Sequence, residues 1–225
     1  MTPEAFRSFA GVSRETLDAF VTYRALLLKW QTRINLVSAT TLEEVWERHF
    51  ADCAQLFRLL PEDVAHVADL GSGAGFPGLV LALQARDAGR RATFHLVEAD
   101  SRKAAFLIEV ALALKLFNHN VRVHAVRAEK MAEGKLAGTM GVVVARALAA
   151  LPDLLAHAAP LLAPGGSCLF LKGTKAEEEI AAAQRAGWRF EALRHASRIE
   201  GGGTIIEVAK PVREAPLVAW PLRKL

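Results

Sequence analysis

A glycine-rich segment follows the first run of the chain that predicts a strand, and its composition suits the binding of a nucleotide-like cofactor. Residues 69–78 read DLGSGAGFPG and lead into an amphipathic run that predicts a helix. Gly71, Gly73 and Gly75 allow a tight turn and let a ligand approach the bare backbone. Pro77 suits the first turn of the helix. A glycine pattern alone is a weak signal, so a strand-to-helix turn without a ligand stays open as the alternative.

Three carboxylates favour one class of cofactor for this loop over another. Asp69 ends the first predicted strand, Glu98 ends the second, and Glu129 follows the third. A dinucleotide needs amide N–H groups and a helix N-terminus for its pyrophosphate, without competing anions. Three acids instead suit a ligand with an ammonium and a sulfonium group, which favours S-adenosylmethionine. Glu98 alone would fit the ribose of either ligand, and each acid taken singly could be a solvated loop residue.

The elements that position these residues alternate between strands and helices. Residues 64–70, 93–98, 121–126, 141–145 and 167–172 predict strands, and helices are predicted near 78–88, 101–116, 151–163 and 176–186. This alternation predicts a parallel sheet with right-handed crossovers, covered on both faces. Residues 188–197 and 204–210 flank three glycines without a helix, which predicts a terminal antiparallel hairpin. We therefore predict an α/β fold with a mostly parallel seven-stranded sheet.

The first sixty residues predict helices instead. Ser13 can cap a first helix, and Thr41 with Glu44 fits a capping box for a second helix that runs to about Leu60 and stops at Pro61. We divide the chain into an N-terminal helical extension (1–62), an α/β domain (63–210) and a C-terminal arm with three prolines (211–225).

Composition excludes several classes of protein. The 225 residues are 52% hydrophobic and 23% charged, which excludes a disordered or collagen-like chain. The net charge of +4 agrees with a nucleic-acid partner without proving one. Cys53 and Cys168 lie far apart, which predicts neither a disulfide framework nor a metal site. We find no signal-peptide core or bilayer-spanning stretch, so we expect a cytoplasmic protein without membrane contact. We also expect a monomer.

A set of motifs resembles the bacterial 16S ribosomal RNA guanine-N7 methyltransferase G family, also called glucose-inhibited division protein B. The matching pieces are WxxRINL from Trp30, RHFxD from Arg48, DLGSGAGFPGLVLAL over 69–83, RKxxFL from Arg102, Arg127–Glu129, Ala145–Ala147 and the run from LLAPGG to Gly173. They span roughly residues 26 to 173 in family order. Phe-Pro-Gly after the glycines and Arg146 after the fourth strand make the resemblance specific.

The resemblance implies a class I, Rossmann-like methyltransferase with an added N-terminal helical part. It implies methyl transfer from S-adenosylmethionine to N7 of a guanine in the 530 loop of 16S ribosomal RNA, with the 30S subunit as partner. Residues implied to contact or border the cofactor are Gly71, Phe76, Ala128, Glu129 and Arg146. Phe76 stands where some members carry Leu, and Cys53 stands where Ser is frequent.

The implied reaction does not require a general base. Guanine N7 has a free lone pair and no proton, so positioning and desolvation can supply most of the rate without a general base. Ala145-Arg146-Ala147 replaces the Asn/Asp-Pro-Pro-aromatic loop that holds an exocyclic amine. Our hypothesis is that Arg146 orients the guanine or a phosphate, and the alternative is an ion pair with Glu129 or Asp69. Cys168 lies within a predicted strand, where a core role is expected.

RNA contacts must come from basic side chains near the cofactor edge. The candidates are Arg33, Arg48, His49, Arg102, Lys103, Lys172 and Arg198, with Lys29, Lys175 and Arg194 as further members. Each of these residues could instead be a solvated surface charge. For His49, a role on the helix surface or in packing is favoured over an RNA contact. Trp30 and the strand residues His66, His95 and His124 are expected to be structural. Other functions left open are methylation of another RNA or a small molecule, nucleotide-dependent regulation, and an inactive RNA-binding assembly role.

Overall fold

Seven strands form one sheet, in which the first five are parallel and the seventh is antiparallel to both of its neighbours. The computed structural model describes residues 1–119 and 121–214. The strands are β1 (His66–Leu70), β2 (Thr93–Val97), β3 (Val121–His124), β4 (Met140–Arg146), β5 (Leu162–Lys172), β6 (Trp188–Ala196) and β7 (Thr204–Arg213). Their order is β3-β2-β1-β4-β5-β7-β6. The sheet predicted from the sequence is confirmed, including the terminal hairpin, whose strand β7 pairs with both β5 and β6.

Helices cover both faces of this sheet. The α-helices are α1 (Pro3–Ala10), α2 (Arg14–Gln31), α3 (Ala39–Leu42), α4 (Asp52–Ala54), α5 (Gly78–Asp87), α6 (Ser101–Ala113), α7 (Ala128–Ala132), α8 (Leu151–Ala158) and α9 (Ala176–Arg185). A π-helical turn covers Trp46–Ala51, and 3-10 turns cover Gln55–Leu59, Leu116–His119 and Ala159–Leu161. No helix of the described ranges is long and apolar enough to cross a bilayer.

Strand side chains alternate between two cores, as both-sided burial of a parallel sheet requires. Val67 and Leu96 belong to the first core, with apolar residues of α2, α5 and α6. Ala68 and Val143 belong to the second, with α8 and α9. Because both faces are buried, the strands are continuous apolar runs, and this is why their positions could be read from the sequence.

The N-terminal helices share the first core with the sheet. Phe6, Phe20 and Phe50 are fully buried, and the rings of Phe20 and Phe50 lie 5.1 Å apart between centroids. Phe50 lies 5.8 Å from Phe76 of the glycine loop. Each such side chain stabilises the fold by roughly 1.5–3 kcal/mol on burial. The N-terminal helices thus support the loop directly.

One predicted helix start is correct and the other is wrong. Ser13 caps α2, its hydroxyl accepting from the Thr16 amide. Thr41 is not an N-cap: it lies inside α3, and its hydroxyl donates to the Ser38 carbonyl and contacts His49. The segment up to Leu60 is broken into short α, π and 3-10 turns, because tertiary contacts of its side chains override the local capping preference.

The C-terminal strand extends past the predicted boundary at residue 210. β7 runs to Arg213, which pairs with Trp188 of β6. The pairing of β7 with β5 ends at Ala209, so at Pro211 the strand β7 pairs with β6 only. The missing N–H of proline therefore removes no hydrogen bond to β5. The rest of the predicted arm, 215–225, lies outside the described residues.

Candidate active site

The glycine loop connects β1 to α5 and is packed too tightly for a side chain at two of its glycines. Gly75 adopts φ +86°, and a Cβ there would lie 2.5 Å from the Tyr23 hydroxyl. Gly71 adopts φ +65°, and its Cβ would lie 2.5 Å from Cδ1 of Leu148. The Tyr23 hydroxyl donates to the Ala74 carbonyl, so α2 holds the loop from behind. Only glycine satisfies both the backbone conformation and the space.

Two of the three predicted acids bind the loop backbone. Glu98 accepts from the Gly73 amide at 2.9 Å and from the Asp100 amide at 2.8 Å. Asp69 is 1% exposed, and its Oδ2 accepts from the Gly78 amide at 3.0 Å. Its Oδ1 is buried and has no hydrogen-bond partner among the described residues. Burial raises the pKa of Asp69 to about 7. An orphaned buried carboxylate oxygen fits a cofactor that carries an ammonium group.

The third acid lies at the neighbouring strand. Ala128 and Glu129 open α7, directly after the loop that follows β3. The Glu129 carboxylate is 55% exposed and lies 3.9 Å from Nε2 of His157. Since β3 pairs with β2 and β2 with β1, the three acids lie at one edge of the sheet, as the sequence predicts.

Arg146, at the carboxyl end of β4, joins the N-terminal part to the loop. Its Nη1 donates to the Arg48 carbonyl at 3.0 Å and lies 3.5 Å from Oδ2 of Asp52. Its guanidinium lies 5.1 Å from the ring centroid of Phe76. The ion pair considered with Glu129 or Asp69 is therefore wrong, and the partner is Asp52. The reason is that the π-helical turn and α4 lie across the end of β4.

His49 is a buried hydrogen-bond acceptor for Arg146. Its Nδ1 lies 2.5 Å from Nη2 of Arg146, and its Nε2 lies 2.9 Å from the Thr41 hydroxyl. The ring stacks on Phe76 with an interplanar angle of 6°. Burial and the nearby Arg146 and Arg48 cations lower the pKa of His49 to about 3. Its packing therefore holds it neutral, with Nδ1 accepting from Arg146.

A cleft of about 670 Å³ opens beside this cluster. Its walls come from the N-terminal part, the β4–α8 loop, the end of β5 and the β6–β7 turn; lining residues include Thr41, Arg48, His49, Asp52, Arg146–Ala150, Leu171–Thr174 and Gly201–Ile205. Ala147 adopts φ +53°, a strained conformation for a residue other than glycine. The cleft thus extends from the edge that carries the glycine loop, with Arg146 between the two.

Lys172 and Glu179 hold the β4–α8 loop in place. The Lys172 ammonium donates to the Ala149 carbonyl at 2.6 Å and pairs with Glu179 at 2.7 Å. Glu179 also accepts from the Leu151 amide at 2.8 Å. The Lys172 side chain is 7% exposed, so it differs from a solvated surface charge.

Some of the other predicted RNA-contacting cations lie at the cleft, and the rest do not line it. Arg48 lines the cleft, and Arg198 lies between cleft residues with its guanidinium over the Phe9 ring at 4.4 Å. Arg33 follows α2, while Arg102 and Lys103 open α6. Side-chain partners within the chain are Asp100 for Arg102, Glu109 for Lys29 and Glu177 for Arg194. Lys175 precedes α9. The structure does not gather these cations into one patch.

The residues expected to be structural make internal contacts. Cys168 is fully buried in β5, and Trp30 donates to Glu109 at 2.9 Å. His66, His95 and His124 are joined across β1, β2 and β3 by ring hydrogen bonds of 3.1 and 3.0 Å. The described residues contain no cluster of three or more His, Cys, Asp or Glu that could hold a metal ion.

Sequence reasoning gave no role to Asp52, although it ends the RHFxD motif. Its carboxylate is 22% exposed, lines the cleft and accepts from the Gln55 amide nitrogen at 3.1 Å as well as facing Arg146. Burial raises its pKa, and Arg146 opposes that rise. The position of the acid four residues after Arg48 was the available signal, but nothing local connects it to Arg146.

Comparisons with known proteins show the family of this chain. A family model described as rRNA small subunit methyltransferase G matches residues 16–199. The ribosomal RNA small subunit methyltransferase G of Rhodospirillum centenum is 49% identical over 205 residues, covering 91% of this chain and 89% of the relative. That of Rhodospirillum rubrum is 45% identical, covering 93% and 98%. A solved SAM-dependent methyltransferase from Aquifex aeolicus has the same fold, with a TM-score of 0.53, 16% identity, and coverage of 71% and 89%. This chain belongs to the rRNA small subunit methyltransferase G family, GidB.

Proposed function

We propose that this protein transfers the methyl group of S-adenosylmethionine to N7 of a guanine in the 530 loop of 16S ribosomal RNA. Besides family membership, one observation carries the proposal: Arg146 connects an acid-lined glycine loop to a cleft of about 670 Å³. One side suits a cationic cofactor and the other has room for a purine base.

The cofactor side is built from the glycine loop and the sheet edge. When bound, S-adenosylmethionine supplies an electrophilic methyl group on a sulfonium. Gly73 would leave backbone open to it, Gly71 and Gly75 would hold the shape of the loop, and the orphaned oxygen of Asp69 would accept from its ammonium. The residues that would complete this side are Phe76, Glu98, Ala128, Glu129 and Arg146.

The acceptor side fits a reaction that needs no general base. Guanine N7 offers a lone pair and has no proton to lose, so holding the base in line and dry supplies most of the rate. His49 would be a poor base, because its pKa is lowered to about 3 and its Nδ1 accepts from Arg146. Burial raises the pKa of the Cys53 thiol, so a cysteine nucleophile is disfavoured as well.

The test is to map N7-methylguanosine in 16S RNA. RNA from cells with and without the gene is reduced with borohydride, cleaved with aniline and read by primer extension. We expect one cleavage stop in the 530 loop that depends on the protein and returns with the purified protein, S-adenosylmethionine and 30S subunits. A methyl group on another RNA or on a small metabolite, with none at this position, would contradict the proposal.

We further propose that the protein acts in the cytoplasm, where 30S subunits reside, and as a monomer. The site is assembled from elements of one chain, since the N-terminal helices, β4 and the β6–β7 turn together form the cleft. Sedimentation of the purified protein at micromolar concentration should give the mass of a single chain. A stable dimer would contradict that part of the proposal.

A further inference from the structure

The cleft carries a hydrogen-bond donor and an acceptor side by side. Nη1 of Arg146 lies 3.5 Å from Oδ2 of Asp52, and the side chains are 18% and 22% exposed. Both line the cleft. The pair is therefore sheltered from bulk water but reachable by a molecule that enters the cleft.

Both groups retain hydrogen-bonding capacity beyond their contacts within the described chain. The Arg146 guanidinium donates to the Arg48 carbonyl and to His49 Nδ1 and faces Asp52, which leaves further N–H groups. The Asp52 carboxylate accepts from Gln55 on Oδ1 and faces Arg146 on Oδ2, which leaves further lone pairs. His49 and the Arg48 carbonyl fix the plane of the guanidinium, so they act as positioning groups.

Guanine presents the complementary pattern on one edge. Its O6 is an acceptor, the neighbouring N1–H is a donor, and N7 lies on the other side of O6. Adenine has the reverse order, with an amino donor at C6 and an acceptor at N1. A donor beside an acceptor therefore fits guanine and opposes adenine.

We infer that Arg146 and Asp52 together select the target base, with Arg146 donating to O6 and Asp52 accepting from N1–H. This inference rests on the proposed function. Sharing the base between two residues leaves the N7 lone pair free, whereas an arginine bidentate to O6 and N7 would block the reacting atom. Because Arg146 also lies over Phe76 of the glycine loop, the O6 and N7 side of the base faces the cofactor side.

The second ion pair of the cleft is unsuited to this task. Lys172 is 7% exposed and donates to the Ala149 carbonyl, and Glu179 accepts from the Leu151 amide. Both groups are engaged in holding the β4–α8 loop. Arg146 is also the more exposed of the two cations, at 18% against 7% for Lys172.

The experiment compares target bases in reconstituted 30S subunits whose target guanine is replaced by inosine, 2-aminopurine or adenine. Inosine keeps O6 and N1–H, so we expect kcat/KM for methyl transfer from radiolabelled S-adenosylmethionine within about fivefold of guanine. 2-Aminopurine and adenine lack both features, and we expect losses of about 100-fold or more, as for sites built around a specific hydrogen bond.

Asp52→Asn separates recognition from intrinsic reactivity of the bases. Asparagine offers an N–H as well as a carbonyl, so the guanine-to-2-aminopurine ratio should fall by about tenfold or more. Asp18→Asn, at an exposed carboxylate on α2, is the matched control and should keep the wild-type ratio. Circular dichroism and S-adenosylmethionine affinity confirm that both variants are folded.

The outcomes separate this inference from the proposed function. Suppose that folded Asp52→Asn methylates N7 of guanine with an unchanged guanine-to-2-aminopurine ratio. This result overturns the inference that Asp52 selects the base and leaves the proposed function standing. If Asp52→Asn does not fold, the wild-type series decides: 2-aminopurine or adenine methylated within about tenfold of guanine overturns the inference. Absence of N7-methylguanine from the wild-type protein on unmodified subunits overturns the proposed function itself.

Discussion

At the scale of single residues, Asp69 combines burial, a single backbone partner and a titratable charge. Its Oδ2 accepts from Gly78, whereas its buried Oδ1 has no partner in the described chain. The pKa of about 7 follows from burial, which disfavours the carboxylate. An ammonium ligand would reverse that preference by pairing with the ionised form. Under the proposed function, Asp69 therefore couples cofactor binding to the release of a proton.

We predict that S-adenosylmethionine affinity depends on pH through Asp69. Below pH 7 the carboxyl of the free protein is protonated, and ionising it for the ligand costs about 1.4 kcal/mol per pH unit. The Kd measured by calorimetry should be about tenfold weaker at pH 6 than at pH 7.5. Asp69→Asn should bind more weakly and with a flat profile over this range. A wild-type Kd that does not change with pH would exclude this coupling.

Arg146 is the residue whose loss disturbs the most contacts in the site. Arg146→Ala leaves Oδ2 of Asp52 and Nδ1 of His49 without their partner, which costs about 1–3 kcal/mol of unfolding free energy. We predict that its methylation rate at saturating 30S subunits falls by about 100-fold or more. Arg146→Lys keeps the charge but cannot hold the same set of acceptors, so it should recover little of the rate. A normal rate at saturating RNA in folded Arg146→Ala would refute a role in orienting the base.

At the scale of elements, three adjacent strands carry a row of hydrogen-bonded histidines. His95 is 5% exposed and contacts His66 and His124 on either side. Burial, the neighbouring histidines and Arg122 lower the pKa of His95 to about 4. Folding therefore keeps this ring neutral, while the unfolded chain binds a proton below about pH 6.5.

We predict that this row destabilises the sheet in acid. Between pH 6.5 and 4 the unfolded chain binds the proton that folded His95 excludes, so the free energy of unfolding decreases as pH falls. The loss attributable to His95 should be on the order of 2 kcal/mol. Urea unfolding at pH 7 and pH 4.5 would measure it for the wild type and His95→Gln. The raised pKa of Asp69 makes the folded protein more stable as pH falls, which opposes the effect of His95. Because Asp69 is present in both proteins, the effect of His95 is read from the difference between the wild type and His95→Gln. An equal pH dependence in both would refute the role of His95.

Elements buried on both faces could be predicted from the sequence, but contacts made across the chain could not. The strands of the sheet and the loop at 69–78 follow from apolar runs and glycine spacing, which are local properties. The capping rule failed for the segment from Ser38 to Leu60 because the Thr41 hydroxyl contacts His49, and His49 in turn accepts from Arg146. The role of Asp52 depends on the same distant arginine. The acids were identified as a group, but which of them would bind backbone and which would stay free is set by tertiary packing.

At the scale of the whole molecule, the net charge of +4 does not describe how the charges are distributed around the site. Asp69, Glu98 and Glu129 lie at the sheet edge that carries the glycine loop, while Arg48 and Arg146 line the cleft beside it together with the acid Asp52. Arg33 follows α2, and Lys103 lies in the first turn of α6. Since neutralised phosphates release counterions, the cations rather than the net charge determine affinity for RNA.

We predict that affinity for 30S subunits falls steeply with salt, whereas affinity for S-adenosylmethionine changes little. The slope of log K against log salt should correspond to several phosphates, at roughly 0.7–0.9 per phosphate neutralised. Arg33→Gln and Lys103→Gln should each reduce the slope by the amount that corresponds to about one neutralised phosphate. Arg185→Gln, on an exposed position of α9, is the control that should leave it unchanged. Filter binding from 50 to 300 mM potassium chloride would measure the slopes. A salt-independent complex would contradict the prediction, because it would mean that few phosphates are neutralised on binding.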